Sequence, residues 1–402
     1  MRRGRTLCVV GVLLLITIVV CALKVYSYIR KNSEDIERGH DGLVSIKDIA
    51  FWEGTVAIPY RIGDMQFKAL LDTAWTTVAF VGVDGSDEDN ISKLFFSGEG
   101  AERVIRKCTN HIGTVCKKTY DGDFQGADGA QKQKWDYYVT SQSPSIGGLT
   151  LKNKDNFEYR LVKPDSVGLD TVKYTLDKTL SLSDKPIAVI GTQALHDTLI
   201  IINFDEHSLL LGNIPTDPAS WLQGKGFTVV HGVYPKGATG IIIPMTVGGI
   251  EGLYQVDTGD ATPGLGVPNR KGMSITPTGQ FSLTKGATGS CMCQEQALAA
   301  VEIGGVSFSQ VPLLLGDDSQ KGASGGLFGP TIMEYIFTKV AFVCTPGKTL
   351  FAFKARDSLT SRPLDFIHKY AWNPDKPITA CGMTFPAGKK AQPALNKYCT
   401  TR

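Results

Sequence analysis

The stretch ALLDTAWTTVAF, residues 69–80, contains an apolar run that ends on a carboxylate, Asp72. A strand that buries one face places its polar residues in alternation on the other face, so a carboxylate at the end of an apolar run needs another explanation. Thr73 and the small residue Ala74 follow at once, which indicates a tight loop directly after the strand. The pattern predicts an Asp side chain held at the end of a buried strand, facing a partner elsewhere in the chain.

The same pattern occurs a second time. The segment IPYRIGDMQFKALLDTA (58–74) aligns without a gap to IPMTVGGIEGLYQVDTG (243–259). Each copy begins with Ile-Pro, has Gly at its sixth position and ends on Asp, Thr and a small residue, so each predicts a β-hairpin that delivers an Asp. A single Asp-Thr-Gly is a common turn, and two unrelated β domains would be the plain alternative. Two copies of the Asp-Thr motif at the same point of one repeat favour a pair of carboxyl groups that act together, Asp72 and Asp257.

The repeat extends beyond these hairpins. Residues 188–212 match residues 326–353, and each segment has two apolar residues and Gly (VIG at 189–191, LFG at 327–329), a short helical stretch and two apolar strands. Gly-Gly hairpins at 145–153 and 301–316 lie between the Asp and that Gly in both copies. The chain therefore contains two copies of one β-rich unit, and the first copy carries the insertions.

These motifs resemble the aspartic peptidases of the pepsin and retropepsin type over about residues 51–356. The resemblance implies a mainly β fold: two pseudo-symmetric lobes around a central cleft, each a six-stranded, barrel-like unit with a short helix. It divides the chain into a first lobe (51–222), a second lobe (223–356) and a Cys- and Pro-containing extension (357–402). The extension is expected to be irregular and pinned over the second lobe by a disulfide.

The resemblance also implies roles for particular residues. Asp72 and Asp257 are the expected catalytic pair, with the apolar-apolar-Gly segments beneath their loops. The expected substrate-binding residues surround them: Thr73, Ala74, Thr258, Gly259 and Tyr120. Tyr120 lies in TYDGDFQG (119–126), where the family places its flap, although a surface tyrosine in a hairpin would fit the sequence as well.

The chemistry of such a pair follows from its charge. Two carboxyl groups about 3 Å apart cannot both ionise, so they share one proton and titrate together. The ionised member takes a proton from a trapped water, and the protonated member donates to the peptide carbonyl or the leaving amine. The expected activity is that of an aspartic-type endopeptidase that needs no cofactor and no metal. Its expected partner is an extended polypeptide in the cleft between the lobes.

Three residues depart from the family pattern. Ala74 stands in place of Gly, Trp75 stands where the family usually has Ser, Thr or Ala, and Asp260 occupies the matching position in the second lobe. A third carboxylate so near the pair raises its pKa by like-charge repulsion unless it turns away. These departures keep open an alternative function, a catalytically weakened homologue that acts as a peptide-binding or inhibitory module.

The N-terminus predicts a separate segment. MRRGR precedes about eighteen residues without a charge, which is near the lower limit for a membrane span. We expect a signal-anchor over 1–27 and a stalk over 28–50, in a single-pass type II protein whose catalytic part is extracellular or in the lumen of the secretory or endosomal system. The alternative is a signal peptide cut near VCA (20–22), which would give a secreted protein.

Seven cysteines lie outside the apolar segment, and in an exported protein they predict disulfides. Cys108–Cys116 and Cys381–Cys399 are the natural local pairs, and Cys344 is expected to pair with Cys291 or Cys293. The spacing of CMC (291–293) is too short for a zinc site. The formal net charge of +3, without a basic stripe, argues against nucleic-acid binding. We expect the catalytic unit to be a monomer.

Overall fold

The structure is a computed structural model. It describes the following residues: 36–38, 42–47, 49–52, 55–62, 65–74, 78–81, 106–107, 116–126, 129–140, 145–151, 157–162, 188–192, 194–233, 240–260, 262–267, 271–285, 291–316, 326–345, 347–358, 378–380, 383–386 and 391–400. Within these ranges the chain is mainly β, with three short helices.

The strands of the first half are β1 (Ile36–Arg38), β2 (Val44–Ile46), β3 (Ala50–Trp52), β4 (Thr55–Ile62), β5 (Met65–Leu71), β6 (Val78–Val81), β7 (Arg106–Lys107), β8 (Cys116–Gly126), β9 (Gly129–Thr140), β10 (Ser145–Ile146), β11 (Leu149–Thr150), β12 (Phe157–Val162), β13 (Ala188–Ile190), β14 (Thr198–Asn203) and β15 (Ser208–Asn213). The helix α1 (Pro218–Gly224) follows them. Asp217 caps α1, because its side chain accepts a hydrogen bond from the Ser220 N–H at 3.0 Å.

The second half contains β16 (Thr228–His231), β17 (Ile241–Val247), β18 (Ile250–Val256), β19 (Leu265–Val267), β20 (Thr276–Lys285), β21 (Cys291–Ile303), β22 (Val306–Leu315), β23 (Leu327–Phe328), α2 (Pro330–Ile336), β24 (Phe337–Val343), β25 (Leu350–Ala355), β26 (Ile378–Ala380), β27 (Met383–Phe385) and α3 (Ala391–Thr400). Pro330 begins α2, where a missing N–H costs nothing.

The two copies of the repeat form two sheets in which seven strands follow the same order, β4-β5-β13-β6-β12-β9-β8 in the first copy and β17-β18-β23-β19-β22-β21-β20 in the second. In the first copy the order runs β11-β10-β4-β5-β13-β6-β12-β9-β8-β7, with β3 on β4. In the second copy it runs β17-β18-β23-β19-β22-β21-β20, and β17 also pairs with β21. That last pairing closes β17, β18, β23, β19, β22 and β21 into a six-stranded barrel, as predicted for this lobe, and leaves β20 at an outer edge.

A third sheet joins the two copies. Its order is β1-β2-β15-β14-β24-β25-β16, and β14 from the first copy pairs with β24 from the second. Every residue of β14 is buried, which agrees with the apolar run LIII at its centre. Aromatic rings from the second copy pack beneath this sheet, and the rings of Phe337 and Phe353 stack with centroids 4.4 Å apart.

Paired glycines make the hairpin turns. Gly147 and Gly148 have φ values of 56° and 79°, and Gly304 and Gly305 have the same two values. Positive φ at both central residues is the geometry of a type I′ turn, so glycine is favoured at each of these positions. The sequence prediction of Gly-Gly hairpins at both sites is confirmed.

Several sequence predictions need correction. After Gly191, the described residues of the first copy form turns closed by i→i+3 bonds (Ala194 N–H to the Gly191 carbonyl, 3.2 Å) rather than the expected helix. The C-terminal extension is not wholly irregular, because it contains α3. The range 28–50, predicted to be a stalk, includes β1 and β2, and β2 pairs with β15 in the joining sheet.

The disulfides also differ from expectation. Cys293 bonds to Cys399, so the predicted pair Cys381–Cys399 is wrong, and Cys344 is a free, buried thiol rather than a partner of Cys291 or Cys293. Local spacing failed here because the partner of Cys399 is 106 residues away in sequence and is brought near by α3. Cys108 and Cys381 lie outside the described residues.

The predicted anchor over 1–27 also lies outside the described residues. Within the part of the chain that the structure describes, no helix is both long enough and apolar enough to cross a bilayer.

Candidate active site

Each repeat holds its Asp at the end of a strand by the same construction. In the first copy β13 runs parallel to β5, and the Asp72 N–H donates to the Ile190 carbonyl at 2.9 Å. In the second copy β23 runs parallel to β18, and the Asp257 N–H donates to the Phe328 carbonyl at 3.0 Å. The two apolar-apolar-Gly segments therefore support the two Asp loops, which is why the sequence repeats at both points.

The two loops are tied together through their threonines. The Thr73 N–H donates to the Thr258 hydroxyl at 3.0 Å, and the Thr258 N–H donates to the Thr73 hydroxyl at 3.1 Å. Each hydroxyl in turn donates to a main-chain carbonyl of the other copy, Thr73 to Val256 at 2.7 Å and Thr258 to Leu71 at 2.6 Å. Both threonines are fully buried, so these four bonds fix the relative position of the loops in a low-dielectric interior.

Each carboxyl group is oriented by the residue that lies two positions later. The Ala74 N–H donates to Asp72 Oδ1 at 2.9 Å, and the Gly259 N–H donates to Asp257 Oδ1 at 2.9 Å. The two loops thus have the same local hydrogen bond, which leaves the second oxygen of each carboxyl group for other contacts.

The two carboxyl groups meet between the copies. Burial raises the pKa of Asp257 well above its usual value, and the neighbouring charges of Asp72 and Asp260 and a hydrogen bond with the Asp72 carboxyl group raise it further, against a smaller opposing effect of the Gly259 N–H. Two carboxyl groups can share a hydrogen bond only if one carries a proton. The arrangement is therefore suited to hold one proton between Asp72 and Asp257.

Gly259 makes room for this meeting. A Cβ atom added to Gly259 would lie 2.5 Å from both Cγ and Oδ2 of Asp72, a distance that real Cβ atoms do not show. The φ of Gly259 is not in the positive region, so its backbone conformation does not call for glycine. Glycine is needed there because a larger residue would collide with the Asp72 carboxyl group. Ala74 holds the corresponding place in the first loop, also without a positive φ, so its methyl group imposes no backbone strain there.

Asp260 turns away from the pair toward the start of α2. Its carboxylate accepts hydrogen bonds from the Thr262 N–H at 3.0 Å and the Thr262 hydroxyl at 2.8 Å. A Cβ atom at Gly329 would lie 3.1 Å from Asp260 Oδ2. Burial raises the pKa of Asp260 to about 6, although both Thr262 hydrogen bonds act in the opposite direction. The Asp260 charge still reaches Asp257, whose pKa it raises.

Two other residues singled out in the sequence are Tyr120 and Trp75. Tyr120 lies in β8, opposite Trp135 of β9, so the segment predicted to be the flap does form one strand of a long hairpin. Trp75 lies outside the described residues.

Sequence reasoning missed two residues that complete the site. Thr262 holds Asp260, and the Asp-x-Thr spacing, typical of a turn in which Asp accepts from the residue two positions later, could have indicated it. Gly240 lies beside the first loop, where an added Cβ atom would be 2.5 Å from the Thr73 carbonyl oxygen and 3.2 Å from Ala74 Cα. No sequence pattern marks Gly240, because its contact depends on how the two copies meet.

No family model matches this chain, and no curated protein matches it. Among solved structures it is similar to the aspartic proteinase from Irpex lacteus, with 13% sequence identity and a TM-score of 0.40, over 79% of this chain and 98% of that chain.

Proposed function

We propose that this protein is an aspartic-type endopeptidase that hydrolyses peptide bonds with a water molecule activated by Asp72 and Asp257. The observation that carries the proposal is the paired carboxyl groups, with the pKa of Asp257 raised by burial and by Asp72. Structural ion pairs also perturb pKa values, but here the two groups come from the same point of an internal repeat. The reciprocal hydrogen bonds of Thr73 and Thr258 also support the proposal, because they hold the loops of the two aspartates rigidly.

The reaction follows from the sharing of one proton. The ionised carboxylate removes a proton from the water as it attacks the peptide carbonyl carbon, and the protonated carboxyl group donates to the carbonyl oxygen. The intermediate then collapses: the protonated carboxyl group donates its proton to the leaving amine nitrogen, and the C–N bond breaks. The other carboxylate takes the proton of one of the two hydroxyl groups as the carbonyl re-forms, so one proton remains on the pair. Main-chain N–H donors from Ala74 and Gly259 keep each carboxyl group in place, so little reorganisation accompanies the step.

The proposed substrate is an extended polypeptide between the two lobes. An extended chain offers alternating N–H and C=O groups to strands on either side of a cleft. The hairpin β8–β9, which includes Tyr120, is the proposed flap over it.

We also propose that the catalytic part lies on the extracellular or luminal side of a membrane, anchored by residues 1–27, or is secreted if that segment is cleaved. The Cys293–Cys399 disulfide supports an oxidising compartment. Protease added to intact cells should digest residues 51–402 from outside, or do so after vesicles are opened if the protein is luminal. Digestion only when the cytosolic face is exposed would contradict the orientation.

A second candidate function is a catalytically weakened homologue that binds peptides without cleaving them. The specific observation in its favour is Asp260, a third carboxyl group whose charge reaches the pair. The two functions can be distinguished with a peptide that carries a hydroxyl-bearing tetrahedral carbon in place of the scissile amide. This group mimics the tetrahedral intermediate of peptide hydrolysis.

For a peptidase, that compound should raise the melting temperature far more than the same peptide with an ordinary amide, since a ligand stabilises by mass action according to its affinity. Equal shifts by the two peptides, with no cleavage of the amide, would favour the binding module. The matched control is Asp257→Asn, which should lose the preference for the tetrahedral mimic.

A further inference from the structure

The strand β20 lies at the outer edge of the second-lobe sheet, where β21 is its one neighbouring strand among the described residues. Its pairing with β21 shifts register between Pro277 and Phe281, and Gly279 within that interval has a φ of 68°. A bulged edge strand presents main-chain N–H and C=O groups that need other partners.

The C-terminal helix α3 supplies those partners through the side chain of Asn396. Its Oδ1 accepts from the Phe281 N–H at 3.1 Å, and its Nδ2 donates to the Gly279 carbonyl at 3.1 Å. One side-chain amide thus replaces the peptide group of a neighbouring strand. Gln392 adds a second contact, since its Nε2 donates to the Phe281 carbonyl at 2.8 Å and to Asn396 Oδ1 at 2.7 Å.

Two further features hold α3 against the sheet. Leu395 is fully buried, and Cys399 is bonded to Cys293 of β21. The bond joins residues 106 positions apart, so it closes a long loop and removes much of the freedom the chain would have without it. An isolated helix of ten residues is marginal in water, so α3 depends on these contacts for its own order.

The hairpin β20–β21 has a counterpart in the first lobe. In the strand order of the two sheets, β20–β21 occupies the place that β8–β9 occupies in the first copy, and β8–β9 is the proposed flap. At the first-lobe edge the two-residue strand β7 pairs with the start of β8, whereas at the second-lobe edge a disulfide-bonded helix contacts β20. The two hairpins are therefore restrained by different means.

We propose that α3 is a clamp on the hairpin β20–β21, and that reduction of the Cys293–Cys399 disulfide releases it. A dithiol supplies the two electrons and two protons: the S–S bond breaks, Cys293 and Cys399 become thiols, and the dithiol is oxidised to its own disulfide. Without the bond, α3 dissociates and the hairpin regains mobility. The consequence for peptide binding rests on the proposed function, because it assumes that this hairpin borders the cleft.

The test is amide hydrogen exchange of the full chain, before and after dithiothreitol, with thiol titration to verify reduction. Peptides that cover 276–285 should exchange about tenfold faster once the disulfide is reduced, whereas those from β17 and β18 should not change. The double variant Cys293→Ser, Cys399→Ser should behave like the reduced protein. Asn396→Ala should accelerate exchange at Phe281 even with the disulfide intact, and the matched control is Thr400→Ala, whose hydroxyl bonds back to the Asn396 and Lys397 carbonyls.

Unchanged exchange over 276–285 after complete reduction would overturn the clamp, and so would an equal rise throughout the second lobe, which would make α3 a general support of the fold. If the protein cleaves peptides, release should raise KM more than it lowers kcat, because substrate must then order the hairpin. A protein that cleaves no peptide would contradict the proposed function, while hydrogen exchange would still decide the clamp.

Discussion

Thr73 and Thr258 donate their main-chain N–H groups to each other's hydroxyl oxygens, at 3.0 and 3.1 Å, across the junction of the two repeats. This exchange links the loop that carries Asp72 to the loop that carries Asp257. Since both threonines are fully buried, water cannot replace either partner if one is removed.

Thr258→Val should therefore lower the free energy of unfolding by about 2–4 kcal/mol, because the Thr73 N–H and the Leu71 carbonyl both lose a buried partner. Urea denaturation followed by tryptophan fluorescence measures the change. Thr216→Val is the control: this threonine is exposed, and the change should stay within about 0.5 kcal/mol. A Thr258→Val protein as stable as the control would show that the exchange contributes little.

Gly259→Ala should displace the Asp72 carboxyl group, because the new methyl carbon would lie 2.5 Å from it. A displacement of about 1 Å in a catalytic group costs on the order of a hundredfold in rate, so peptide cleavage should fall by about that factor. Gly224→Ala, at the end of α1 where an added Cβ atom meets nothing within 4 Å, should leave the rate unchanged. Steady-state assays of both variants measure the contrast, and equal rates would mean that Asp72 has room to move without consequence.

Asp260→Thr should shift the alkaline limb of the activity profile to lower pH. The Asp260 carboxyl group is charged above its pKa of about 6 and then raises the pKa of Asp257, so without it the pair loses its shared proton at a lower pH. The measurement is kcat/KM between pH 3 and 8 for wild type and variant. A limb that stays in place, or moves to higher pH, would show that the Asp260 charge does not reach the pair.

The same residue should make stability depend on pH. Burial raises the pKa of Asp260 from 3.8 in the unfolded chain to about 6 in the folded protein, so the folded state binds more protons between these values. The contribution of the protonated carboxyl group is fully present below about pH 4 and is lost as the pH rises through 6. Asp260→Asn should therefore gain stability relative to wild type from pH 4 to 7. A difference that stays constant over this range would contradict the raised pKa.

The sequence predicted the parts of the fold that depend on local pattern. The two hairpins that deliver Asp72 and Asp257 and the Gly-Gly turns follow from residues close together in the chain, whose spacing indicates strand pairing. The second-lobe barrel was implied by the family resemblance, since the pairing of β17 with β21 that closes it joins distant residues. That Asp72 and Asp257 belong to one site could be inferred only because the sequence pattern around them is repeated.

What could not be predicted depends on contacts between distant segments. Cys399 pairs with Cys293 because α3 lies on β20, and no spacing rule connects residues 106 positions apart. The orientation of Asp260 is set by Thr262 and by the space beside Gly329, which the sequence does not reveal. Gly240 likewise acquires its importance only where the second copy meets the loop of the first.

The most direct test of the central claim is peptide cleavage by Asp257→Asn. An amide keeps the shape of the carboxyl group but cannot exchange the shared proton, so the account predicts a folded protein with the wild-type circular dichroism spectrum and no cleavage of a peptide library at any pH from 3 to 8. The wild type should cleave the same library with a bell-shaped dependence on pH. An Asp257→Asn protein that retains most of the wild-type cleavage rate would contradict the account.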